Sequence, residues 1–153
     1  MSGLFTTIKF IHILLAIIAF GFNATYPIWI QRAERHPEHL YFALRGVKIL
    51  DDYAANPAYV LLLITGLTMV FVGHYNVLTT FWLLAALIIF LVVAILGFGV
   101  YTPTLRGQIK ALATEGQESQ AYQSLSMRGT IVGIVLAVLV LLILVLMVFR
   151  PTF

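Results

Sequence analysis

The stretch that decides the fold is YAANPAYVLLLITGLTMVFVGHYNVLTTFWLLAALIIFLVVAILGFGVYTPTL, Tyr53 to Leu105, with no Asp, Glu, Lys or Arg in 53 residues. A membrane-spanning helix needs about 20 apolar residues. This run therefore holds two spans and a turn, and the turn reads Gly73-His74-Tyr75-Asn76, rich in breakers and polar groups. Two shorter uncharged runs flank it, Phe10 to Gln31 and Gly129 to Phe149, each long enough for one span. Residues 131–146, IVGIVLAVLVLLILVL, do not alternate with period two, which excludes β-barrel strands. Lipid offers no partners to backbone groups, so a continuous apolar run of this length must close its hydrogen bonds as a helix. The expectation is an all-α, antiparallel four-helix transmembrane bundle forming a single membrane domain over residues 1–153. Its spans fall at about 4–30, 54–74, 78–102 and 129–149.

Composition agrees. The chain of 153 residues is 61% hydrophobic and 10% charged, against about 45–50% and about 25% in soluble domains. That excludes a soluble globule, a disordered chain and a nucleic-acid binder, despite the net charge of +3. The absence of cysteine excludes disulfides, thiol catalysis, iron–sulfur clusters and thiolate ligation of zinc or haem. The first span is read as retained rather than cleaved. Phe20, Phe22, Tyr26 and Trp29 stand where a signal peptidase needs small residues.

The charges set orientation. Arg32, Arg35, Arg45 and Lys48 fall in one inter-span segment (31–53), and Arg106, Lys110 and Arg128 in another (103–128). Only Lys9 and Arg150 lie on the other side. Seven against two places both segments in the cytoplasm and both termini outside. Lys9, ahead of the first apolar run, counts weakly the other way, unless its ammonium snorkels outward. Within the first segment, Pro37 suits a first helical position, and Leu40, Leu44 and Val47 share one helical face. This predicts an amphipathic helix lying in the membrane interface and leading into the second span. The second segment is expected to prolong the third helix to about Gly116 and to re-enter helix before Arg128.

Ionisable groups inside a membrane are functional-site candidates, and here they are scarce. His12 shares a stripe with Ala16, Ala19 and Asn23, small and polar residues that face other helices rather than lipid. His12 reads either as a haem or metal ligand or as a buried histidine hydrogen-bonded to a neighbouring helix. His74 is the second candidate. Counted at about 1.5 Å per residue, it stands roughly 15 Å from the midplane and His12 roughly 6–8 Å, which is poor for a bis-histidine pair. Met69 is better matched in height, and His/Met ligation suits haem and copper; its competing reading is packing. His36 and His39 are read as solvated turn residues. Asp51 and Asp52 are expected at a helix N-terminus, favoured by its dipole, with proton transfer as the alternative. Asn23, Gly66, Gly129 and Gly133 are read as helix-packing positions, the last two as a small-xxx-small pattern that could serve an oligomer contact. No Walker loop, dinucleotide fingerprint, His-Glu-x-x-His or Gly-x-Ser-x-Gly is present, and catalytic residues and metal ligands stay unassigned.

Lys9-Phe10-Ile11-His12, the segment from Asp51 through Asn56-Pro57-Ala58-Tyr59 to Ile64-Thr65-Gly66-Leu67, and Phe81-Trp82-Leu83-Leu84 carry a resemblance. Together they resemble an uncharacterised (DUF-type) family of small four-helix bacterial integral membrane proteins. More distantly, they are similar to the CopD-type copper-resistance membrane domain and the HemJ-type protoporphyrinogen oxidase. Both of these place a histidine early in the first span, which His12 matches; the lysine of the HemJ-type third span is missing. The resemblance implies haem b or a metal at His12. Three functions are carried forward. The first is a binding module for electron transfer or sensing, with His12 as ligand. The second is a non-catalytic subunit or assembly factor of a larger membrane complex or homo-oligomer. The third is a membrane oxidoreductase acting on a porphyrinogen or quinone. The bilayer itself is the one partner all three share.

Overall fold

Each long apolar run folds as a helix that continues past the membrane-length segment at one end. The computed structural model describes residues 3–151. It contains four long helices: α1 (Gly3–Glu34), α2 (Pro37–Val72), α3 (Phe81–Glu115) and α4 (Gln120–Phe149). They hold 32, 36, 35 and 30 residues. At about 1.5 Å per residue each exceeds the roughly 30 Å of hydrocarbon. The excess collects at the end holding the α1–α2 and α3–α4 turns, where seven of the nine Lys and Arg lie. This is called the basic end below.

The helix limits follow from local chemistry. α1 stops at Glu34, and α2 restarts at once with Pro37 in its first turn. α3 ends before Gly116, whose φ of +87° favours glycine. Ser119 then caps α4, its Oγ accepting from the Tyr122 N–H at 3.2 Å. This matches the expected break at Gly116.

Two places depart from α geometry, and both precede a proline. In α2 the Asn56 N–H reaches back five residues to the Asp51 carbonyl, making a π-turn over Asp51–Ala55. In α3 the Thr102 N–H reaches the Gly97 carbonyl, making a second over Gly97–Tyr101. Pro57 and Pro103 follow directly. A proline inside a helix has no N–H to give, and its ring crowds the carbonyl four residues back. Widening the preceding turn by one residue relieves that crowding.

α1 packs along α2, and α3 along α4. At the basic end, the first half of α2 also meets the second half of α3. The main core lies there, built from Tyr26, Ala33, Leu40, Leu44, Val47, Leu105, Ala111 and Tyr122. A smaller cluster of Ala19, Ala58 and Leu62 joins α1 to α2 further in.

These facts correct two expectations. Residues 37–50 do not lie flat in the interface. They run straight into the second span, and their apolar face is the best-buried part of the molecule, with Leu40 and Leu44 at 0% exposure. Asp51 and Asp52 are not at a helix N-terminus. They sit inside the continuous α2, because the amphipathic helix and the second span join without a break.

Candidate functional site

His12, on α1, meets α2 at Thr65 and Gly66. His12 Nδ1 lies 2.8 Å from Thr65 Oγ1. The Thr65 hydroxyl also lies 2.8 Å from the Leu61 carbonyl and 3.2 Å from that of Leu62. A hydroxyl has one proton, and an oxygen this close to a carbonyl must point it there. With its proton on the Leu61 carbonyl, Thr65 can accept from His12 Nδ1–H, the tautomer in which the lone pair is on Nε2. Gly66 makes room for the ring: a Cβ built at Gly66 would lie 3.2 Å from His12 Cε1, tighter than ordinary contact.

The other sequence candidates are spread out. Met69 is one turn beyond Thr65 along α2. His74 lies past the helix end, exposed, with φ of +52°. His36 and His39 are exposed and flank Glu38, at 3.7 and 3.8 Å from its carboxylate. Among the described residues no group of three His, Cys, Asp or Glu is arranged to hold a metal ion. One imidazole nitrogen suffices to hold a haem iron, and a histidine whose other ring nitrogen donates to a fixed acceptor has the form that metal-binding histidines favour.

Asn23, eleven residues further along α1, donates from Nδ2 to the Tyr59 hydroxyl of α2 at 2.7 Å. Gly129 and Gly133 both turn toward α3 of the same chain. A Cβ on Gly129 would meet Gln108 and Thr104 at 3.8 Å, and one on Gly133 would meet the Tyr101 ring at 3.6 Å. These are ordinary contacts, so neither glycine is required for the approach of α4 to α3.

One polar cluster escaped the sequence reading. Asp51 is only 3% exposed. Its Oδ2 accepts from Thr102 Oγ1 at 2.8 Å and from Asn56 Nδ2 at 3.3 Å. The bonds tie the start of one π-turn to the residue ending the other, so the two widened turns face each other. Burial raises the Asp51 pKa above the usual carboxylate value, against the lowering effects of Thr102, Lys48 and Asn56. Asp52, one residue on, pairs with Lys48. The signal in the sequence was the repeated polar-Pro step, Asn56-Pro57 and Thr102-Pro103, inside apolar helices.

Four long apolar helices around a few buried polar bonds define a polytopic integral membrane protein of the helical-bundle class. Residues 6–151 match the family described as "Predicted integral membrane protein (DUF2269)", and the chain belongs to that family. Neither a curated protein nor a solved structure matches it.

Proposed function

We propose that the protein is a membrane-embedded binding module in which His12 offers Nε2 to the iron of haem b, for electron transfer or sensing. The observation that carries this reading is the His12–Thr65 hydrogen bond, with Thr65 already donating to the Leu61 carbonyl. That arrangement favours the neutral Nδ1–H tautomer, in which Nε2 carries the lone pair a metal takes. Gly66 gives the ring its place. Thr65 and Gly66 act on His12 rather than on the ligand: the hydroxyl holds the ring plane, and the missing side chain prevents displacement. Bound haem would supply one-electron redox chemistry. The basic end faces the cytoplasm, because seven of the nine cationic side chains are there; a bacterial inner membrane is what the resemblance of the sequence implies.

The test is the absorption spectrum of protein purified in mild detergent after haem-replete expression, oxidised and dithionite-reduced. The reading expects a Soret band and its loss in His12→Ala. A colourless wild-type protein would sink it. Stoichiometric co-purifying subunits in that colourless protein would then favour the non-catalytic subunit.

A further inference from the structure

Between α1 and α4 runs a cleft of about 330 Å³, floored by residues of α2 and α3. Its size sits at the low end of small-molecule sites, which span about 300–1,000 Å³. It lies along the seam between the first and last helices, lined by Pro27 of α1 and by small residues of α4 such as Gly133 and Ala137. His12 is not among its walls, so this is a second place in the molecule.

The cleft is mostly apolar, but three phenols gather at its floor: Tyr26, Tyr59 and Tyr101. Tyr26 is 1% exposed, and its hydroxyl has no hydrogen-bond partner. A buried tyrosine hydroxyl normally finds one. Tyr59 accepts from Asn23, so its own proton is left for another acceptor. The Tyr26 hydroxyl is thus a donor left without an acceptor. Charge narrows the choice further. No Lys, Arg or His lines the cleft, so an anionic headgroup would find no countercharge. Glu34 lies at the polar end, with its Oε1 already accepting from Tyr122 and Ser126 at 3.3 and 2.9 Å. A plain hydrocarbon tail would leave the hydroxyls unmet.

We propose that this cleft takes a neutral, carbonyl-bearing lipophile of the quinone type from the bilayer. Its ring sits in the cleft, its tail remains in lipid, and its carbonyl oxygen accepts from the tyrosine hydroxyls. One or two fused rings suit the volume. Lateral entry suits a seam between helices that are not neighbours in sequence.

The test is calorimetric titration of the intact protein in phosphatidylcholine nanodiscs with decylubiquinone. Saturable binding at one per chain is expected. Tyr26→Phe should weaken it by about fivefold, the worth of one hydrogen bond, without lowering the melting temperature, because the hydroxyl it removes is unpaired. Ala137→Phe should fill the seam and abolish binding. His12→Ala should leave the affinity unchanged, so failure here and failure of the haem reading are separable. Uptake no greater than in empty nanodiscs would overturn the proposal. So would equal binding of decylbenzene, which lacks the carbonyl, or an unchanged affinity in Tyr26→Phe.

Discussion

At the residue scale, two side chains carry most of the argument. His12 could be singled out from its stripe alone, but its partner could not: Thr65 lies 53 positions away, and nothing in the local pattern ties them. If Thr65 holds the imidazole proton, Thr65→Val leaves a buried N–H unmet and should cost about 1–2 kcal/mol. Thr65→Ser should restore most of it; thermal unfolding in detergent measures both. Asp51 is the other case. Its pKa is raised by burial, so the folded state favours the protonated form. The linked stability is present at low pH and is lost as pH rises through the raised value. Asp51→Asn keeps an acceptor for Thr102 without the charge. It should melt higher than wild type at neutral pH, with the gap closing as pH falls through the carboxylate range. A gap that widens on acidification would contradict this sign.

At the element scale, the helix ends were legible and the helix continuity was not. Gly116 and Pro37 marked their boundaries from their own backbone chemistry. Residues 37–50 carried the right apolar face, Leu40, Leu44 and Val47, but an amphipathic stripe suits a membrane surface and a bundle interior equally. Only the partner decides, and here it is a bundle interior: Tyr26 and Ala33 of α1, Leu105 and Ala111 of α3, and Tyr122 of α4. The π-turns were hidden for a different reason. A proline inside an apolar run signals a disturbed helix, but how the backbone absorbs it depends on neighbours such as the Asp51–Thr102 bond. The contrast between buried and lipid-facing elements is measurable. Leu44→Ala, at a fully buried position, should cost about 2–5 kcal/mol in reversible unfolding. Leu141→Ala, 55% exposed on α4, should cost under about 0.5 kcal/mol. Comparable losses at both sites would mean that α4 is packed against something the single chain does not contain.

At the scale of the whole molecule, the uncharged runs were enough to count the spans, because the cost of bare backbone in lipid leaves helices as the only form for them. Orientation rests on the distribution of nine cationic side chains, and the chain has no cysteine to interfere with a direct test. A lone thiol in Leu78→Cys, at the turn joining α2 to α3, should react with a membrane-impermeant maleimide in intact spheroplasts. One in Glu118→Cys, at the basic end, should react only after permeabilisation. The reverse pattern would invert the topology and place the buried core outside the cytoplasm. The central claim concerns His12. Its most direct test is the Soret absorption of the His12→Ala protein, purified after haem-replete expression, with and without added imidazole. The account predicts a band in the wild type, its loss in the variant and its return when imidazole fills the vacated position. An unchanged band in His12→Ala would contradict it.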